Sequence, residues 1–361
     1  MSCILAINAG SSSVRIAAFN GETRFLAGKL ESPGEPGETV ALAWLSGQFA
    51  GLAPAAICHR VVHGMRHSEP ARVTPALVEE LQRNIPNDPE HMPRQLELIE
   101  ACARQYPGVL QLACFDTAFH SHMPRVATQL ALPRRYEAQG LRRYGFHGLS
   151  YEYLLEELAQ VAGSEAANGR VILAHLGNGA SLAAVRNGVG IDTTMGFTPA
   201  GGLVMGTRTG DLDPGVAAWL LASGLNADQF THLVNHESGL LGVSETSADV
   251  RDLINVAPAD ARAAEALNLF CYQVRKSIGA LATTLSGLDT LVFAGGIGEN
   301  SPLIRDRICS SLGFLGIELD DDRNAAGLPL ISMAGSPVAV RVIPTDEEAM
   351  LARHARRFLR R

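Results

Sequence analysis

The sequence predicts an α/β chain made of two halves of similar construction, and three glycine-rich turns carry that expectation. Ile4-Leu5-Ala6-Ile7 runs into Asn8-Ala9-Gly10-Ser11-Ser12-Ser13, and Val171-Ile172-Leu173-Ala174 into His175-Leu176-Gly177-Asn178-Gly179-Ala180-Ser181. Leu291-Val292-Phe293-Ala294 runs into Gly295-Gly296-Ile297-Gly298-Glu299-Asn300. Each is a short β-rich run ending in glycines and small hydroxyl or amide residues, which lets backbone N–H groups come close to an anion. One such turn is common between strands. Three in one chain, the first two alike, point to a duplicated nucleotide-binding fold.

The elements follow in order. Val14 to Phe19 reads as a second strand, closing a hairpin with the first glycine turn at its tip. Glu31 to Glu38, with Pro33, Gly34, Pro36 and Gly37, reads as a surface loop. The hairpin grammar returns from Val171 to Val185, and Asn187-Gly188 then signals a tight turn. Leu267, Phe270, Val274, Ile278, Leu281 and Leu285 follow three- and four-residue steps, one face of a helix. Hairpins interspersed with helices and repeated about 165 residues apart predict two α/β halves with a cleft between them.

Composition narrows the class. At 361 residues, with 47% apolar and 19% charged residues, the chain can bury a sizeable core, and two domains are expected. A net charge of −7 and the lack of a Lys/Arg run argue against a nucleic-acid surface. Arg134, Arg135, Arg142 and Arg143 read as a solvated basic face. The 6 cysteines show no metal spacing and sit mostly in apolar runs, as buried thiols of a reducing compartment would. With no signal-peptide pattern and no stretch of about 18 apolar residues, a cytoplasmic chain is expected. Lysine occurs only at Lys29 and Lys276, so arginine at a position where lysine is usual reads as drift.

Further motifs give the chain a resemblance. They are His59-Arg60-Val61-Val62-His63-Gly64, Phe115-Asp116-Thr117-Ala118-Phe119-His120, Tyr144-Gly145-Phe146-His147-Gly148 and Met195-Gly196-Phe197-Thr198-Pro199 with Met205-Gly206-Thr207-Arg208. The second half adds Gly296-Ile297-Gly298-Glu299-Asn300-Ser301 and Ile343-Pro344-Thr345-Asp346-Glu347-Glu348. In this order, and over nearly the whole chain, they resemble the acetate kinases of the acetate and sugar kinase, Hsp70 and actin superfamily. The resemblance implies two duplicated ribonuclease H-like (actin-like ATPase) domains flanking a cleft. Residues 1–118 plus 348–361 would form the N-terminal domain, and 119–347 the C-terminal domain for ATP binding and dimerisation. It further implies acetate or another short-chain carboxylate and ATP as substrates, magnesium (or manganese) as the metal, and a homodimer.

Phosphoryl transfer needs positioning and charge neutralisation more than covalent chemistry. Arg60 matches the arginine that holds the substrate carboxylate, a task suited to a planar fork. Asp116 lies in the apolar run Leu112 to Phe119, where an unpaired carboxylate is costly, and matches the active-site carboxylate. His147 and Arg208 match the pair that stabilises the transferring phosphoryl group. Asn8 and Glu347 match the metal-side residues, acting through water because magnesium dehydrates reluctantly. Ser11, Ser13 and Arg15 belong to the first phosphate turn, and His175, Gly177, Asn178 and Gly179 to the second. Asp249, Val250 and Arg251 match the adenosine triplet, with Gly296, Ile297, Gly298 and Asn300 on the nucleotide's other side. Val62, Phe146 and Pro199 match the pocket for the acyl methyl; Val62 fits ordinary core packing equally well.

The departures gather on the acyl side. Met65 replaces a usual glycine, Pro86-Asn87-Asp88-Pro89 stands for the usual Leu-His-Asn-Pro, Leu149 and Tyr151 replace Thr and His, and Ala200-Gly201 replaces Leu-Glu. Arg15 stands where lysine is usual. The expected reaction is therefore ATP-dependent phosphorylation of acetate, with propionate or butyrate as the alternative acid. A nucleotide-binding regulatory relative and a sugar kinase are the remaining alternatives; intact Arg60 and Asp116 count against the first, and a sugar hydroxyl needs no carboxylate-binding arginine.

Overall fold

In a computed structural model of the chain, the described residues are 3–10, 13–31, 47, 49 and 51–361; Ser11 and the Pro33–Gly37 part of the expected loop lie outside them. The chain forms two compact units. One comprises Met1–Ser121, Phe146–Tyr153 and Asp346–Arg361, the other His122–Gly145 and Leu154–Thr345.

The first unit holds a sheet of β1 (Cys3–Ala9), β2 (Ser13–Asn20), β3 (Thr23–Glu31), β4 (Pro54–Val61), β5 (Ala71–Arg72) and β6 (Leu110–Phe115) in the order β3-β2-β1-β4-β6-β5. The second holds β7 (Arg170–Leu176), β8 (Ala180–Arg186), β9 (Val189–Thr193), β10 (Thr290–Ala294) and β11 (Ala339–Val342) in the order β11-β10-β7-β8-β9. In each sheet an antiparallel three-stranded meander is continued by two strands parallel to its first. β10 and β11 are parallel to each other as well. This is one ribonuclease H-like topology used twice, and the duplicated hairpins are its first two strands.

The helices that matter below are α1 (Pro75–Arg83), α2 (Met92–Gln105), α3 (Gly148–Ala162), α4 (Val250–Val256), α5 (Ala261–Leu285), α6 (Gly295–Asn300), α7 (Pro302–Cys309) and α8 (Glu347–Leu359). The middle of the first sheet is buried on both faces, which is why β1 reads as an unbroken apolar run. Ile4 and Ala6 face Met350, Leu351 and Ala355 of α8, while Leu5 and Ile7 face Leu98 and Cys102 of α2. Burying a side chain such as Leu351 is worth about 2 kcal/mol, so α8 is held mainly by its apolar stripe. In the second unit α5 buries all six residues of the expected face and packs on β7 and β8. Asp260 caps its start by accepting from Arg262 N–H.

Asn187 and Gly188 turn β8 into β9, both with positive φ (53° and 73°), as a two-residue hairpin demands. The third glycine run differs from expectation, because it is the short helix α6 rather than an open turn. Gly295, at φ 75°, turns the chain off β10 against the Leu176 carbonyl, where a Cβ would sit 2.7 Å from its oxygen. The Glu299 carboxylate then takes the Gly295 N–H at 2.8 Å and closes the first turn. Arg143 also departs from a solvated face, donating to Ala127 O and Thr193 O. Among the described residues no helix is long and apolar enough to cross a membrane. The cysteines form no disulfide; five are buried and Cys3 is half-buried.

Candidate active site

β1 and β4, and β4 and β6, run parallel, so their C-terminal ends bring Asn8, Arg60 and Asp116 to one edge of the first sheet. α8 begins there with Glu347 and Glu348. The Arg60 fork grips Asp116, with Nε at 3.1 and 3.0 Å from the two carboxylate oxygens and Nη2 at 2.6 Å from Oδ2. Arg60 Nη1 donates to Asn8 Oδ1 at 3.1 Å and lies 3.6 Å from Glu347 Oε2. Asn8 Nδ2 donates to Glu347 Oε2 at 2.8 Å and to Glu348 Oε1 at 2.7 Å. Four sequence candidates, Asn8, Arg60, Asp116 and Glu347, thus form one hydrogen-bonded cluster.

Burial is the strongest influence on Asp116 and raises its pKa, with the Arg60 guanidinium pulling the other way. Burial also works against the charge of Arg60, but Asp116, Glu347 and Glu348 outweigh it and hold the guanidinium charged. Glu348 is raised by burial and by Glu347 beside it. These donors are hard oxygens with surplus negative charge, which fits a magnesium-type cation. No group of three or more His, Cys, Asp or Glu side chains among the described residues could chelate a metal directly.

Around this cluster lie residues that the motifs missed. Gln95 of α2 is buried, accepts from the Val62 N–H at 3.0 Å and donates to Ala9 O at 3.1 Å, tying the ends of β1 and β4 together. The one readable signal was a polar residue on the apolar face of an amphipathic helix. His91 and Asp88, both buried, pair at 2.7 Å. Met65 and the altered 86–89 stretch meet: Asn87 Nδ2 lies 3.7 Å from Met65 Sδ and donates to Asn84 Oδ1 at 2.6 Å. Met65 stands at φ 52°, in the left-handed region where glycine is at ease.

Val62 and Phe146 are buried, and the His63 ring meets Phe146 edge-on at 5.6 Å. His120 Nε2 lies 2.9 Å from the Phe146 carbonyl oxygen. His147, at φ 58°, directly precedes α3. Next to it Gly148 packs so closely on Asp116 that a Cβ would lie 2.0 Å from the aspartate carbonyl oxygen. Ser13 opens β2 and accepts from the Gly10 N–H at 2.9 Å, and Arg15 is exposed, opposite Asn8 in the β1–β2 register.

The second unit gathers most of the nucleotide candidates. Gly177, Asn178, Asp249, Val250, Arg251, Gly296, Ile297 and Asn300 line one cavity of about 780 Å³. Gly177 N–H donates to Gly179 O at 3.0 Å, His175 is the penultimate residue of β7, and Gly298 is buried in α6. Asp249 caps α4 through Arg251 N–H at 2.8 Å. The Arg251 side chain pairs with it at 2.6 Å, and this bond depresses the Asp249 pKa. Arg208 Nη1 donates to Pro199 O at 3.3 Å, so these two candidates also meet.

The sequence pattern of the Acetokinase family matches residues 52–353. An acetate kinase of Rhodopseudomonas palustris (strain TIE-1) is 43% identical, covering 98% of this chain and 98% of its own. One from Methylocella silvestris is 45% identical over 87% of this chain and 77% of its own. Among solved structures, Porphyromonas gingivalis acetate kinase superposes with TM-score 0.88 at 35% identity, covering 99% and 100% of the two chains. A propionate kinase from Francisella tularensis subsp. tularensis SCHU S4 gives TM-score 0.90 at 34% identity, covering 98% and 99%. With its paired sheets, its Arg60–Asp116 cluster and these relatives over its whole length, the chain belongs to the acetokinase family.

Proposed function

We propose that the chain transfers the γ-phosphoryl group of ATP directly to the carboxylate of acetate, reversibly, giving acetyl phosphate and ADP. A carboxylate oxygen forms a bond to the γ-phosphorus as the bond to the ADP oxygen breaks, and that oxygen keeps the electron pair. The Arg60–Asp116 cluster carries the reading. An arginine fork held charged in a largely buried setting is the group that can orient a carboxylate and offset its charge.

Each residue then has a task. Arg60 orients the acid, and Asp116 keeps the fork in place and its charge balanced. His147 and Arg208 stabilise the charge spread over the transferring phosphoryl oxygens. The second unit's cavity holds the adenosine and phosphates of ATP, and Ser11, Ser13 and Arg15 are further phosphate-binding residues. Asn8 and Glu347 hold the water shell of magnesium (manganese serving in its place), which neutralises phosphate charge when bound. Val62, Phe146 and Pro199 take the acyl methyl. The functional domains are the two expected from the sequence, 1–118 plus 348–361 and 119–347, whereas the compact units of the fold give 119–121, 146–153 and 346–347 to the first. The second also serves a homodimer. A cytoplasmic setting is supported by six cysteines that form no disulfide.

Propionate or butyrate is the second reading, because Asn87 and Met65, which touch, both belong to the altered acyl side and change the residues that decide chain length. The test is acyl phosphate formation from Mg-ATP, trapped as hydroxamate, with acetate, propionate and butyrate in parallel. Acetate as the best acid supports the proposal, a longer acid shifts it to the second reading, and no product from any of them overturns it.

A further inference from the structure

Arg305 of α7 is 0% exposed, and no carboxylate pairs with it among the described residues. Its fork is spent on neutral oxygens. Nη1 donates to Gly298 O and Glu299 O, both at 2.9 Å, Nε to Asn324 Oδ1 and Nη2 to Asn324 O, both at 2.8 Å. Asn324 Nδ2 in turn donates to Pro302 O at 3.0 Å. The two carbonyls that Nη1 holds lie in α6, whose Gly296, Ile297 and Asn300 line the 780 Å³ cavity, and Pro302 lines it too. Arg305 therefore stands directly behind one wall of that cavity without lining it.

A buried cation without a counter-ion is costly, and burial here pulls the Arg305 pKa down. A neutral side chain could hold carbonyl oxygens at less cost, so the charge itself needs a reason. An anion on the far side of a thin wall supplies one, because a buried charge acts through low dielectric and is little screened by salt.

We propose that Arg305 is a positioning residue for the nucleotide, setting the α6 wall and lending the cavity a positive field that favours the polyphosphate over the nucleoside. The inference rests on the reading of this cavity as the ATP site and adds how the site discriminates by charge. It calls for tighter binding with each added phosphate, by about threefold per group, the size expected of one charge acting across roughly a Debye length.

The experiment is calorimetric titration of the full chain with AMP, ADP and ATP in EDTA, so that no cation masks the phosphates. The variants are Arg305→Lys and Arg305→Met. Lysine keeps the charge and loses the fork, so all three affinities fall together and the ATP-to-AMP ratio stays as in the unaltered chain. Methionine removes the charge, so that ratio falls about tenfold. Should Arg305→Met not fold, Asn324→Asp keeps the arginine, sets a carboxylate against it and lowers the ratio likewise. Equal losses for AMP, ADP and ATP in Arg305→Met or Asn324→Asp, or no change at all, would overturn the electrostatic role. An unaltered chain that binds none of the three would overturn the cavity's reading, and the inference with it.

Discussion

Arg60 holds Asp116 through three contacts of 2.6 to 3.1 Å, and the carboxylate they enclose is fully buried. A substrate carboxylate must therefore share a guanidinium that already has a partner. Asp116 keeps the fork planar, charged and aimed; without it Arg60 would keep only Asn8 at 3.1 Å and Glu347 at 3.6 Å.

Asp116→Asn keeps the shape and removes the charge. The expected outcome is a loss of acyl phosphate formation of about 100-fold or more, the scale of losing a preorganised electrostatic group. Urea unfolding should show a destabilisation of about 3 kcal/mol, as for breaking a buried pair. Turnover near that of the unaltered protein would remove Asp116 from the mechanism.

Arg60→Lys separates charge from geometry. A point charge cannot serve Asp116 and a substrate carboxylate through parallel N–H bonds. The KM for acetate should rise at least about tenfold, and by more than the KM for ATP, since the cavity lined by eight of the nucleotide candidates does not include Arg60. A rise confined to the ATP constant would contradict the assignment.

Much of this was readable in the sequence, for physical reasons. β1 and β7 are buried on both faces, so their apolar runs and closing glycines stood out, and Asp116 was conspicuous because an apolar run rarely tolerates a carboxylate. Eight nucleotide candidates from three separate segments line one cavity. Other features depend on contacts that no local pattern encodes. Gln95 joins Ala9 O to Val62 N–H from a distant helix, and Asn87 meets Met65 across 22 residues. α6 was hidden because glycine is a poor helix former, and what closes its first turn is a side-chain bond from Glu299.

Stability should depend on pH through two buried histidines. Burial, the leading cause for both, lowers His59 and His63 to about 4 from an ordinary 6.5. Between those values the unfolded chain binds the protons and the folded chain does not, so stability rises with pH across the window and is lost as pH falls from 6.5 toward 4. Asp116 and Glu348, raised by burial, act with the opposite sign, losing stability as pH rises through their folded values. Unfolding free energies from urea titrations at pH 7 and pH 5 should differ by a few kcal/mol in favour of pH 7, and His59→Gln should remove about half of the histidine share of that difference. A pH 7 to pH 5 difference that His59→Gln leaves unchanged would show that His59 titrates normally.

Met65→Gly tests the altered acyl side. The left-handed backbone at φ 52° costs a non-glycine residue about 1 kcal/mol, which glycine relieves while giving up the contact with Asn87. Thermal melting should change by no more than a few degrees, because the two effects offset each other. The ratio of kcat/KM for propionate over acetate should move by about threefold or more, since removing the side chain that touches Asn87 of the altered 86–89 stretch changes the space for one methylene. An unchanged ratio would place Met65 outside the acyl pocket.

Gly206→Ala probes the other substrate. Gly206 N–H donates to Asn178 O at 2.9 Å, and a Cβ there would lie 2.1 Å from Asn178 Oδ1. That oxygen cannot stay where it is, because 2.1 Å is far inside van der Waals contact. The atom that must yield is the end of a side chain, so the local fold can survive while the cavity wall at Asn178 is rearranged. The expected result is a KM for ATP raised about tenfold with the KM for acetate unchanged, and a melting temperature within a few degrees of the unaltered protein. Equal increases in both constants would mean that Gly206 supports the whole site rather than the nucleotide cavity. No change in either would remove Asn178 from nucleotide binding.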